Sequence, residues 1–175
     1  MDCCESPADA LINDQANSRL LRALRLDARL NSPRSREMLF YALCETSLLI
    51  LLGGPTEAPP GAQTAIDDRG YSRFQVGTNI PLVLLSTDKG LKVLPAFSDA
   101  AAARKLGLTE PHSLLLRGPE VLELLLATDA HYLALNPGSA EAVELPRETV
   151  AFLVQALRSG GALPSENSVL GNEPN

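Results

Sequence analysis

The sequence predicts an α+β protein with a mixed β-sheet of about five or six strands, a two-helix N-terminal lead-in, and further helices packed on the sheet. Three observations predict it. Two stretches of helical periodicity stand side by side near the start of the chain, within 18–45. Short apolar runs bounded by Gly, Pro and Asn recur after them, as strands do. The resulting order, ααβ(β)ββαβαββα, lacks the regular strand–helix alternation of a parallel α/β fold. At 175 residues the chain is long enough for one core, and at this size roughly 70% of the unfolded surface is buried, so folding needs no disulfide or metal.

Residues 1–17 read as a disordered tail, 18–158 as the domain and 159–175 as a second disordered tail rich in Gly, Pro, Ser, Asn and Glu. In the first helix Leu20, Leu21, Leu24 and Ala28 share one side, and Arg19, Arg22, Arg25 and Arg29 share another. Asn31-Ser32-Pro33 breaks it. Ser32 is suited to cap a second helix and Pro33 to open it, where a missing N–H costs nothing. That helix runs to about Glu45, and Ser47–Leu52 follows as an apolar strand closed by Gly53-Gly54-Pro55. Thr56 to Thr78 reads as a long loop with β-like fragments at Ala62–Ile66 and Tyr71–Val76.

The clearest element is a hairpin, Leu82–Ser86 and Leu91–Leu94, turning at Thr87-Asp88-Lys89-Gly90 with Gly90 suited to a left-handed position. Because Leu82 to Leu85 are apolar without alternation, this strand is expected near the sheet's centre, covered on both faces. Pro95 has no N–H for a ladder, so pairing is expected to end there. Ser98 or Asp99 then caps a helix over Ala100–Gly107. His112–Arg117 reads as a strand, Gly118-Pro119-Glu120 starts a helix, and two strands, Tyr132–Leu135 and Glu141–Pro146, flank an Asn-Pro-Gly-Ser turn. Pro146, with Glu148 in the first turn, opens an amphipathic helix through Leu157.

The net charge of −6 argues against a general binder of nucleic acid or anionic membrane, since phosphate attraction needs a positive field. No apolar run approaches the ~20 residues of a membrane span. The acidic start, MDCCESPADA, has neither the basic nor the apolar region of a secretory signal, so a cytoplasmic location is expected. Three cysteines, Cys3, Cys4 and Cys44, suit reduced thiols better than a disulfide framework, and no zinc-type spacing appears. No phosphate loop, dinucleotide fingerprint or metalloprotease helix is present, so neither a cofactor nor a metal is expected.

The stretch Pro81–Gly107, followed by Arg117–Glu148, resembles the N-terminal domain of the SseB family, named for enhanced serine sensitivity. The likeness rests on Pro95-Ala96-Phe97-Ser98 before a helix and on Asn136-Pro137-Gly138-Ser139 after a later apolar strand, in that order and spacing. It covers about Ser18 to Leu157. Members often carry a tryptophan in or after the helix that follows Pro-Ala-Phe, where this chain offers Leu106, and some carry a second domain for which no length remains here. The resemblance implies a bacterial protein with no established catalytic activity. It points to an interaction or regulatory module with a protein partner or with a second copy of itself.

Three kinds of site are therefore weighed. The first is a shared surface patch of Pro95, Phe97, Ser98, Asn136, Gly138 and Ser139, able to take a partner's side chain, against the plainer readings of Phe97 as core and the tetrapeptide as a turn. A second is the basic face Arg19, Arg22, Arg25 and Arg29, which suits an anionic small molecule or nucleic acid unless it is a solvated surface. The third is catalysis at His112 or His131, which are expected to meet only if their strands are neighbours. Ser86 and Lys89 match a Ser-x-x-Lys spacing, but across a hairpin rather than a helical turn, so they read as turn residues. A secretion-associated accessory role is a further alternative carried by the family name alone.

Overall fold

The computed structural model describes residues 14–53, 65–66, 72–73, 80–107 and 112–159. Helices α1 (Asp14–Leu30) and α2 (Pro33–Glu45) lead into β1 (Ser47–Leu52). Strands β2 (Ala65–Ile66) and β3 (Ser72–Arg73) make a ladder of their own. Then come β4 (Leu85–Ser86), β5 (Lys92–Phe97), α3 (Ala100–Arg104), β6 (His112–Arg117), α4 (Gly118–Ala127), β7 (Tyr132–Leu135), β8 (Val143–Pro146) and α5 (Arg147–Arg158). The main sheet has six strands in the order β6-β1-β5-β7-β8, with β4 beside β5. Its β5–β7 pair is parallel and its other pairs are antiparallel, so the fold is the expected α+β. Helix α1 opens at Asp14, inside the stretch expected as a tail. Cys3, Cys4, most of the 56–78 loop and residues 160–175 lie outside the described residues.

The helix pair forms as its residues dictate. Leu20 and Leu24 of the expected apolar side are buried, but Leu21 is half-buried and Ala28 exposed; the buried stripe runs instead through Leu20, Ala23, Leu24 and Asp27, with Arg19, Arg22, Arg25 and Arg29 exposed. Ser32 caps α2: its Oγ accepts from the Ser35 N–H at 3.2 Å, and Ser35 Oγ accepts from the Ser32 N–H at 3.0 Å. Ser35 thus fills the place usually held by Glu or Gln in this reciprocal arrangement. Asp27 reinforces the elbow from inside, accepting from Ser35 Oγ and pairing with Arg36, both at 3.0 Å. An unpaired carboxylate buried to that degree would be too costly to keep.

The sheet separates two apolar layers. Leu48, Ile50, Leu94, Ala96, Leu133 and Leu145 face the four long helices and pack with Leu20, Leu24, Leu39, Leu43, Leu125 and Val150. Alternate positions Leu49, Leu51 and Phe97 face the other way, against Ala102 and Ala103 of the short α3. Strand β1, flanked by β6 and β5 and buried on both faces, is therefore central.

Two expectations about the hairpin are corrected. Gly90 does turn it, with φ +75°, closing on Thr87 O at 2.8 Å. Its first arm, however, is not a central strand. Residues Leu82 to Leu85 are only half-buried, and the ladder with β5 holds just Leu85 and Ser86. Ahead of it, Val83 N–H donates to Leu51 O at 3.0 Å and Gly53 N–H to Pro81 O at 2.7 Å. The segment therefore fills the wedge where β1 and β5, paired only at Leu49–Phe97 and Ile50–Ala96, splay apart.

Pro95 does not end pairing either. It sits mid-strand opposite Ala134. The Lys92 and Ala96 carbonyls accept from His131 and Asn136 N–H groups on the β7 side. By strand alternation Pro95 faces the opposite edge, between the end of β4 and the start of β1 pairing, where a missing N–H forfeits no ladder bond.

Two close contacts position α4. Gly118 is required because a Cβ there would lie 1.7 Å from Leu43 O, letting α4 begin directly against the end of α2. At the other end the Arg147 guanidinium donates to the carbonyls of Leu125 (3.0 Å), Leu126 (2.7 Å), Thr128 (2.9 Å) and Ala130 (2.9 Å). A cation thereby satisfies carbonyls that a helix end leaves open.

Candidate functional site

The two tetrapeptides do meet, but not as a surface. Phe97 is fully buried beneath α3, Ser98 and Asn136 are 1% and 3% exposed, and Pro95 is buried as well. Asn136 Oδ1 accepts from the Ser98 N–H at 2.8 Å, and Asn136 Nδ2 donates to Ser98 Oγ at 2.9 Å. Ser98 Oγ in turn donates to Asp99 Oδ2 at 2.8 Å, and Asp99 Oδ1 caps α3 by accepting from Ala102 N–H at 2.7 Å. Asp99, not Ser98, is thus the helix cap.

Asn136 holds this place with φ +49°, a left-handed conformation that asparagine tolerates better than most residues. Gly138, with φ +81°, completes the turn, which closes by Ser139 N–H to Asn136 O at 3.1 Å. Leu106 lies against Gly138, where an added Cβ would come within 3.7 Å of its Cδ2. Of the six patch candidates only Gly138 is exposed and Ser139 half-buried, so the predicted patch is corrected to an internal clasp. Hydrogen bonds between residues far apart in sequence consume the polar groups of Ser98 and Asn136, while Ser139 Oγ is buried with no hydrogen-bond partner among the described residues. A spacing pattern does not announce such bonds.

The basic face is open, and it borders a groove. Arg19 pairs with Glu45 at 2.9 Å and Arg25 with Glu141 at 3.1 Å, while Arg22 and Arg29 are exposed with no ion pair among the described residues. The Arg19–Glu45 pair joins the start of α1 to the end of α2, so the helices run antiparallel. Between them lies an open groove of about 480 Å³ lined by Arg19, Arg22, Ala23 and Leu26 from α1 and by Met38, Tyr41, Ala42 and Glu45 from α2. Buried Ala23 and Ala42 make its low floor. Met38 and Tyr41 stand on its rim, 48% and 51% exposed. The sequence signal that could have found this surface was available: in the second helix Met38 and Tyr41 fall off the buried stripe of Leu39, Ala42 and Leu43.

Reactive groups are scattered. His112 lies on the edge strand β6 and His131 beside the start of β7, with β1 and β5 between their strands, so the two do not meet. His131 Nδ1 accepts from the Lys92 N–H at 3.2 Å, a local structural bond. Cys44 is half-buried, and its thiol is pushed up from its ordinary value, by burial first and by Glu45 second, which keeps it a poor nucleophile. Ser86, the last residue of β4, and Lys89, in the turn, are both exposed. Among the described residues no three His, Cys, Asp or Glu side chains gather as metal ligands would, and no helix is long and apolar enough to cross a membrane.

Comparison with known families identifies one domain. The SseB protein N-terminal domain matches over residues 20–151 of the 175, from the buried face of α1 into α5. The chain belongs to this family. The matched region of this SseB domain includes α1 from Leu20 onward, α2, the wedge, the clasp and all six strands of the main sheet. No curated protein and no solved structure matches the chain significantly.

Proposed function

We propose that this SseB domain is a non-catalytic protein-interaction module that docks its partner on the outer face of α1 and α2. The observation that carries the reading is the groove between those helices, rimmed by exposed Met38, Tyr41 and Arg22. Met, Tyr and Arg are enriched at interfaces because each offers a large contact area with adaptable or polar ends. Two further facts support it. Ser98 and Asn136 of the two family tetrapeptides are engaged with each other in the clasp, and the two histidines lie on or beside strands that β1 and β5 separate. A reading of the arginines as a phosphate-binding face receives less support, because Arg19 and Arg25 are already neutralised by Glu45 and Glu141.

The test is affinity capture with the full chain, with Tyr41→Asp and Met38→Asp, and with Phe152→Ala, which changes an exposed side chain on α5. A protein recovered in stoichiometric amount by the parent and by Phe152→Ala, lost with both groove variants, and reconstituted from purified components supports the reading. A partner held equally by the groove variants, or steady turnover of a metabolite by the purified protein, overturns it.

A further inference from the structure

The lining residues of the groove have a regularity of their own. Arg19, Arg22, Ala23 and Leu26 stand at i, i+3, i+4 and i+7 on α1, and Met38, Tyr41, Ala42 and Glu45 repeat that spacing on α2. Two antiparallel helices that each present such a row leave a seam along their axes, and the element that fills a seam of this kind is a third helix set at a shallow crossing angle. The seam is about two helical turns long, since seven residues of helix rise roughly 10 Å. Opposed alanines give its middle the depth to receive a side chain, and Leu26 with Met38 gives one end apolar walls.

Charge then selects among helices. Between Asp14 and Glu45 the chain carries six arginines and four acids, a net of +2 against −6 for the whole molecule, so this hairpin is a positive region on a negative protein. Glu45 is paired to Arg19 and Asp27 is buried against Arg36, whereas Arg22 and Arg29 are exposed on the α1 side with no ion pair among the described residues. A ligand helix gains by placing acidic residues along that flank.

We infer that the α1–α2 groove receives an amphipathic helix of another protein, with an apolar stripe flanked by Asp or Glu on the side that meets Arg22 and Arg29. This rests on the interaction-module reading and specifies its partner. Recognition follows the helix-in-groove mode, in which apolar anchors at helical spacing supply affinity and flanking charges supply orientation and choice.

The experiment titrates the full chain with two labelled 18-residue helical peptides that share one leucine stripe, one flanked by glutamates and the other by lysines, reading fluorescence anisotropy at low and at raised salt. The glutamate peptide is expected to bind at least about tenfold more tightly, with the advantage shrinking as salt screens the rim. Arg22→Glu is expected to reverse the preference, and Tyr41→Asp to abolish binding of both peptides, while Phe152→Ala changes nothing. Thermal melts of the variants check that the fold is retained, and the conservative Arg22→Gln, which keeps a long polar side chain, should lose the preference without reversing it. Equal binding of the two peptides, binding of neither, or light scattering that shows the groove occupied by a second copy of this chain would overturn the inference. A groove-dependent partner that binds through a strand or a loop would overturn the helix alone and leave the interaction-module reading standing.

Discussion

The clasp at the ends of β5 and β7 and the outer face of α1 and α2 are both polar in sequence, and they dispose of their polar groups in opposite ways. In the clasp Asn136, Ser98 and Asp99 satisfy one another and the backbone, sealed above Phe97. On the helix pair Arg22 and Arg29 remain in solvent beside apolar Met38 and Tyr41. Buried polar groups that are fully partnered fix a structure and leave nothing for a ligand. Exposed cations beside exposed apolar surface do the reverse. A distinctive residue string is therefore a poor guide to a binding surface until its burial is known.

Changes on the two sides should break in different currencies. Phe97→Ala has the largest expected effect, a loss of about 3–5 kcal/mol of stability in a denaturant titration, because a full aromatic volume is emptied beneath α3. At temperatures where the variant remains folded, partner capture should persist. Asn136→Ala comes next, costing about 1–3 kcal/mol because the Ser98 N–H is left buried without an acceptor. Asn136→Gly removes the same bond but accepts φ +49° freely, so the gap between these two variants measures the backbone contribution.

Tyr41→Asp lies on the open side and should move stability by no more than about 0.5 kcal/mol while removing partner binding. If it unfolds the protein instead, the contrast between the two regions fails.

The smallest effect belongs to the ion pair that ties α1 to the residues following the clasp. The hydrogen bond from Arg25 holds Glu141 below its ordinary 4.5. Folding therefore favours the ionised form, and the contribution is complete above the ordinary value and is lost as pH falls through the lower folded value. Glu141→Gln should slightly flatten the acid limb of a stability–pH curve, and added salt should erase the difference.

Local signals read correctly where one or two residues decide the outcome. Ser32-Pro33 placed the start of α2, Gly90 placed the hairpin turn, and the apolar stripe of α1 placed Leu20 and Leu24 on its buried side, since each depends on φ preferences or on periodicity within a few residues. Leu82 to Leu85 misled because an uninterrupted apolar run fits a central strand and a half-covered wedge equally well. Pro95 misled because a proline rule assumes a partner on both edges, and here the edge it faces lies at a splay. Arg147 passed unnoticed and Gly118 was read only as a helix start, because their further purpose lies in carbonyls from other elements.

By itself the sequence determined the class of the fold, the order of its elements and the chemistry each helix and strand presents, because those follow from short-range backbone preference and from the period of apolar side chains. Tertiary structure alone decided which polar residues were consumed inside and which were left for a partner. Burial is a property of what packs on top, and for Ser98 and Asn136 the covering residues and the hydrogen-bond partners come from parts of the chain 38 positions apart.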